Sequence, residues 1–147
     1  SVMLNENDHV RFQGLLPGLQ LERAAEMALK LDEAVSEKYP FAFDSQWGFL
    51  TSSPANVGTG MRCSVVLHLP ALSRGGRMGA IMQAVAKMGL TIRGLYGEGS
   101  EARGQLYQMS NQATLGMSEE EIVRSRRRRS RSPAMSARCA KCRKRKT

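Results

Sequence analysis

The chain has 147 residues, 41% of them hydrophobic, and a formal net charge of +9, which bounds it at about one globular domain with enough apolar content for a packed core. The charge is uneven: residues 124–147 hold 12 of the 22 Lys and Arg and no acidic residue, leaving 10 basic against 13 acidic residues, a net of −3, in residues 1–123. No apolar run approaches the ~18 residues of a membrane span, Ser1-Val2-Met3-Leu4-Asn5-Glu6 lacks the charged and apolar regions of a secretory signal, and three cysteines make no disulfide framework; the expected location is the cytoplasm, with no membrane partner.

Residues 2–13 read as extended structure interrupted by Asn5-Glu6-Asn7-Asp8, with Val10 and Phe12 facing one way and His9, Arg11 and Gln13 the other. Such a segment offers an apolar side to a core and a polar side to a site. Pro17-Gly18 breaks the chain. From Leu19 to Lys38 the apolar residues Leu21, Ala24, Ala28, Leu31 and Val35 recur at spacings of three and four, opposite Glu22, Arg23, Glu26, Lys30, Glu33 and Glu37. This pattern predicts an amphipathic helix that ends before Tyr39-Pro40.

Phe41 to Thr51 carries Phe41, Phe43, Trp47 and Phe49 around the turn Asp44-Ser45-Gln46, a hairpin pattern whose aromatics are expected in the core. After a loop at 52–60, residues 62–69 alternate, with Arg62, Ser64, Val66 and His68 on one face and Cys63, Val65, Leu67 and Leu69 on the other. Gly75 to Gly89 has Met78, Ile81, Met82, Val85 and Met88 at helical spacing and Gly89 placed just past the helix end. Thr91–Gly97 and Gln105–Gln112 read as two strands flanking a glycine-rich turn, and Ser118-Glu119-Glu120-Glu121 has the form of a capping box that starts a helix.

Residues 124–147 have almost nothing apolar to bury and are expected to be disordered. Two readings of this tail stand. One is an Arg/Ser segment that binds RNA through salt-sensitive phosphate contacts; the other, favoured by the abrupt switch of composition just after a helix start, is a change of reading frame near Val123. The abrupt start at Ser1, inside a strand-like motif, likewise reads as a fragment boundary. Cys139 and Cys142 form a Cys-x-x-Cys pair without a second pair or a nearby histidine, too few ligands for a zinc site, and no metal site is expected.

The stretch Arg93-Gly94-Leu95-Tyr96-Gly97-Glu98-Gly99-Ser100-Glu101-Ala102 packs one arginine, three glycines and two carboxylates into ten residues. Glycines let backbone approach a ligand closely, a guanidinium fork suits phosphate oxygens, and a carboxylate can take or orient a proton. Composition alone leaves two readings open: phosphate handling beside an acid/base group, or a glycine-rich turn with solvated charges. No Gly-x-x-x-x-Gly-Lys-Ser/Thr loop occurs, so this is not a P-loop protein.

Arg93 to Glu98 with the trailing Ser110-Asn111-Gln112 resembles a signature of the guanido (phosphagen) kinase superfamily. Asn5-Glu6-Asn7-Asp8-His9-Val10-Arg11 is similar to that superfamily's Asn-Glu-Glu-Asp-His-Leu-Arg motif, and Pro54-Ala55-Asn56-Val57-Gly58-Thr59 resembles its Pro-Thr-Asn-Leu-Gly-Thr segment. Gly60, the run Leu67 to Leu72, Tyr96 and Gln108 resemble the bacterial protein arginine kinase branch. The resemblance covers residues 1–123. It implies an incomplete α+β catalytic domain: a mostly antiparallel sheet with helices at 19–38 and 75–89 on one face and the site on the other, followed by the basic tail at 124–147.

The function implied is ATP-dependent phosphorylation of arginine residues in proteins, with Mg2+ accompanying the nucleotide, protein substrates that present arginine, and a homodimer as one arrangement. By the same resemblance Arg11, Arg62 and Arg93 clamp phosphates, and Cys63, Ser64, Val65 and Val66 with Gly94, Leu95, Tyr96 and Gly97 wall the nucleotide pocket. Glu98 is the candidate base. The glutamate expected just before Asp-His, a second catalytic carboxylate, is replaced by Asn7; Glu6 does not stand in for it, because neighbours on a strand point to opposite faces. The family's early Ser-x-Arg-x-Arg element is not found before the first motif, nor is a phosphoarginine-binding-like region found after residue 123. The alternatives are a catalytically impaired nucleotide-binding or scaffold remnant, and an RNA-binding protein acting through its tail.

Overall fold

The alternation expected at 62–69 is realised as a strand, Met61–His68, in which Met61, Cys63, Val65 and Leu67 are fully buried while Arg62, Val66 and His68 between them are half-buried. Alternate side chains stand on opposite faces of a sheet, so one face of this strand is core and the other is polar. The structure, a computed structural model, describes residues 1–6, 8–95, 102–130 and 136–146, with side chains described for all of these except 103, 126–130 and 136–146.

Among the described residues, eight strands and four α-helices follow in the order β1 (Val2–Glu6), β2 (Asp8–Pro17), α1 (Leu21–Ser36), β3 (Phe43–Asp44), β4 (Gly48–Phe49), β5 (Met61–His68), α2 (Pro70–Arg74), α3 (Met78–Ala86), β6 (Leu90–Gly94), β7 (Leu106–Asn111), α4 (Glu119–Ser130) and β8 (Ser136–Lys146). Six of the strands form an antiparallel sheet in the order β1-β2-β8-β5-β7-β6. The α+β class and the mostly antiparallel sheet expected from the sequence are the ones observed.

The helices share one face. Leu21, Ala24 and Ala25 of α1, Val85 of α3 and Ile122 and Val123 of α4 join Cys63, Val65, Leu67, Leu90, Ile92, Tyr107 and Met109 in a single buried cluster. Fully burying a Leu, Ile or Met contributes about 1.5–3 kcal/mol each, so this cluster is what ties the helices to the sheet. Gly14 lets α1 sit close to β2: a Cβ built there would lie 2.2 Å from the carbonyl oxygen of Ala24. At the start of α4, Ser118 N–H donates to Glu121 Oε2 at 2.8 Å and Glu121 N–H to Ser118 Oγ at 3.2 Å, which is the expected capping box.

Two expectations are corrected. The helix expected over 75–89 begins only at Met78, because Gly76 adopts φ +65° and separates it from a five-residue helix, α2, whose first residue is Pro70; proline is favoured at that position since its missing N–H has no helical partner anyway. The hairpin aromatics are not core. Phe43 is 63% and Trp47 49% exposed, since β3 and β4 form a two-stranded sheet outside the large one, bridged only from Phe49 to Gly58, and the hairpin aromatics line an open cleft of about 660 Å³ with Leu115 and Met117.

Of the basic tail, helix α4 runs to Ser130, and Ser136–Lys146 is a strand between β2 and β5, paired on both edges through its backbone.

Candidate functional site

On the face of the sheet away from the helices, register brings residues from three sequence motifs into rows. Ser64 of β5 is opposite Ser110 of β7, itself opposite Thr91 of β6; Val66 is opposite Gln108, itself opposite Arg93. Gln108 Nε2 donates to Ser64 Oγ at 2.8 Å. Arg93 is exposed between buried Ile92 and half-buried Gly94, the alternation of a strand whose other side is core. Arg11, on the same face of β2 as His9 and Gln13, is 5% exposed; it forms an ion pair with Glu6 and reaches Met3 Sδ at 3.7 Å. From β2 to β6 are four strand intervals, about 19 Å at ~4.8 Å each, so Arg11, Arg62 and Arg93 are spread across a surface of nucleotide dimensions.

What holds these motifs together is a set of buried polar contacts between them. Asp8, 1% exposed, accepts from the backbone N–H of Ser52 at 2.9 Å and of Ser53 at 3.4 Å through Oδ1, and from Asn56 Nδ2 at 2.9 Å through Oδ2. Asn56 belongs to the Pro-Ala-Asn segment, so the first motif is bonded to the second. Thr114 Oγ1 donates to the carbonyls of Val57 at 2.7 Å and Ala55 at 3.2 Å, while Thr59 N–H and Oγ1 donate to the Thr114 carbonyl at 3.2 and 3.1 Å. Gly58, at φ +105°, passes so close that a Cβ would lie 2.6 Å from Thr114 O.

Asn111 completes the connection. Its Oδ1 accepts from Cys63 N–H at 2.8 Å, and its Nδ2 donates to the carbonyls of Met61 at 3.0 Å and Ala113 at 2.9 Å. The β5–β7 ladder runs from His68 to Ser64, and the Asn111 side chain continues it where the β7 backbone turns away. Asp8, Asn111 and Thr114 are functional in this positioning sense and were not singled out from the sequence. The signal for Asn111 lay in the Ser-Asn-Gln motif, but its partners stand 48 and 50 residues away.

Of the residues expected at the site, Arg11, Arg62, Ser64, Val66 and Arg93 share the open face. Cys63 and Val65 are fully buried on the opposite, helix-covered face. Gly94 and Leu95 continue the β6–β7 pairing, with Leu95 N–H donating to Leu106 O at 2.9 Å. Asn7, Tyr96, Gly97 and Glu98 lie outside the described residues. Among the described residues no group of His, Cys, Asp or Glu is arranged to hold a metal ion, and no helix is long and apolar enough to cross a membrane.

An antiparallel sheet with helices on one face is the architecture of this chain, and the chain belongs to the ATP:guanido phosphotransferase, C-terminal catalytic domain family, which it matches over residues 1–128. Among curated proteins it is 55% identical over 123 residues to a protein-arginine kinase of Halothermothrix orenii and 53% identical over 123 residues to one of Bacillus cereus; each match covers 84% of this chain and 35% of the relative. The chain thus spans about a third of the length of the relatives it matches. Among solved structures it is similar to the duplicated taurocyamine kinase from Schistosoma mansoni with bound transition state analogue components, at a TM-score of 0.60 and 31% identity over 74% of this chain and 16% of that one.

Proposed function

We propose that this chain carries the catalytic-domain portion of an ATP-dependent protein arginine kinase, the activity named for its curated relatives. The observation that supports this best is the sharing of one open sheet face by Arg11, Arg62 and Arg93, each from a different motif. Guanidinium groups, the Ser64 hydroxyl and the Gln108 amide on that face are the donor types that suit a polyphosphate, so the residues present fit ATP. Bound with Mg2+, ATP supplies the transferable γ-phosphoryl group.

The protein's task in such a transfer is positioning and compensation of charge. Arg11, Arg62 and Arg93 orient the phosphates and offset the negative charge that spreads over the transferring group. The acceptor, an arginine side chain of a protein substrate, titrates far above neutral pH and stays protonated until a carboxylate removes a proton during attack; Glu98 takes that proton. Asn7 accepts a hydrogen bond from the acceptor guanidinium but supplies no charge, so it orients without adding pull.

The test joins this chain to the flanking regions of the Halothermothrix orenii relative and measures phosphoarginine on an arginine-rich protein. ATP-dependent phosphoarginine is expected, reduced in Glu98→Gln by on the order of 10²–10³, the usual effect of losing one preorganised electrostatic partner, and raised in Asn7→Glu. An absence of phosphoarginine in both the parent and Asn7→Glu would remove the kinase reading.

A further inference from the structure

The β3–β4 hairpin holds its aromatics outside the core on a fixed frame. Asp44 Oδ1 accepts from the backbone N–H of Gln46 at 2.8 Å and of Trp47 at 2.9 Å, which sets the turn. Phe49 N–H donates to Gly58 O at 2.8 Å and Gly58 N–H to Phe49 O at 3.2 Å, and the Phe43 and Phe49 rings meet edge to face with centroids 5.1 Å apart. The other side of the cleft, residues 115–120, follows Thr114, which donates to the carbonyls of Ala55 and Val57. Both sides are therefore bonded to the same 54–59 segment. Large apolar side chains exposed together on such a frame mark a binding surface.

The cleft between them, about 660 Å³, is of the size that takes a ligand or a few peptide side chains. Phe43, Trp47, Leu115 and Met117 supply aromatic and apolar surface, Glu119 and Glu120 supply carboxylates, and no Lys, Arg or His is among the described residues that line it. Glu119 also has a partner within the chain. The Glu120 side chain is exposed and makes no hydrogen bond or ion pair with the described residues. Carboxylates in the first turn of α4 favour the helix by themselves; the aromatics beside them add selectivity. A guanidinium stacks on an aromatic face while its edge donates to a carboxylate, a combination that an ammonium matches poorly and a polyanion not at all. Thr59 lines the cleft and Arg62 follows three residues later, so their Cα atoms are at most about 11 Å apart.

We propose that this cleft docks an arginine-bearing segment of the protein substrate, with a guanidinium laid on Trp47 and paired with Glu120, and so holds that segment within reach of Arg62. This rests on the reading of the chain as part of an arginine kinase and deepens it, by separating where the substrate is held from where it is phosphorylated.

Trp47 is the single tryptophan of the chain, so its fluorescence reports on the cleft. The full chain is titrated, without ATP, with an aromatic-free peptide of alternating arginine and serine and with lysine and glutamine counterparts of equal length. A saturable change of Trp47 fluorescence is expected with the arginine peptide, weaker binding with lysine and none with glutamine. By calorimetry, Glu120→Gln should weaken the arginine peptide by on the order of tenfold and Trp47→Leu by several-fold. Glu37→Gln, which removes an exposed carboxylate at the far end of α1, should leave it unchanged. No binding of the arginine peptide, equal affinity for all three peptides, equal loss in Glu37→Gln and Glu120→Gln, or binding that survives both Glu120→Gln and Trp47→Leu overturns the proposal. ATP is titrated in parallel into the parent and Arg62→Ala. Arg62-dependent ATP binding without peptide binding removes the docking site and leaves the kinase reading; peptide binding at the cleft without ATP binding leaves the docking site and removes the phosphate site.

Discussion

Replacing Asn111 with alanine should unfold the sheet at lower temperature and weaken nucleotide binding, although Asn111 is expected to touch no nucleotide. The side chain is 1% exposed and makes three hydrogen bonds to backbone, with Cys63, Met61 and Ala113. Alanine takes the partner from the Cys63 N–H and the Met61 C=O inside the core, and each buried group so deprived costs about 1–3 kcal/mol, a total of roughly 2–6 kcal/mol. For a chain of this size that lowers Tm by roughly 4–24 °C. Arg62 sits between the two residues that Asn111 holds, so its guanidinium loses its fixed position and ATP affinity drops with stability. Asn111→Asp keeps the acceptor for Cys63 but turns a charged oxygen toward two carbonyls, and should be no milder than alanine. Circular dichroism melts with parallel calorimetry provide the assay. A Tm within ~2 °C of the parent for both variants would refute the claim that this side chain continues the β5–β7 ladder.

Asp8→Ala, which unties the first motif from Ser52, Ser53 and Asn56, should cost about 2–4 kcal/mol in urea denaturation and free the 52–56 loop to proteolysis; an unchanged midpoint would show that the link is incidental. Gly58→Ala meets both a left-handed backbone at φ +105° and the Thr114 carbonyl, so it should destabilise by about 2 kcal/mol or more, measured as a shift of the urea midpoint. The Ser118 backbone N–H and then its hydroxyl hold the Glu121 carboxyl below its usual range, against a smaller opposing effect of burial and with the smallest contribution from Arg124. A lowered pKa in the folded state contributes stability above the ordinary carboxylate value of about 4.3 that is lost as pH falls through the lower folded value; Glu121→Gln should therefore lower stability slightly at neutral pH, leave it nearly unchanged in strong acid, and so flatten the profile between them.

Much of this fold is legible in local pattern. The three-and-four spacing of Leu21, Ala24 and Ala28 gives α1, with those residues buried, the alternation from Arg62 to His68 gives both faces of β5, and Ser118 with Glu121 marks the start of α4. What local pattern does not carry is partnership across distance. Phe43 and Trp47 have the composition of core residues, yet their short hairpin pairs outside the main sheet and leaves them half in water. Pro70-Ala71-Leu72 carries no helical signal because a five-residue helix is too short to show a period. Asp8, Asn111 and Thr114 look like ordinary loop and strand polars until folding sets partners about 50 residues away against them.

The central claim, that the motif arginines on the open face form one phosphate site, is tested most directly by calorimetric titration of ATP into the chain and its Arg62→Ala, Arg93→Ala and doubly substituted variants. Each charge-assisted contact is expected to contribute about 1.5–3 kcal/mol, so each single substitution should weaken binding by on the order of tenfold or more, and the double by a greater factor. Tight ATP binding indifferent to both substitutions would contradict the account.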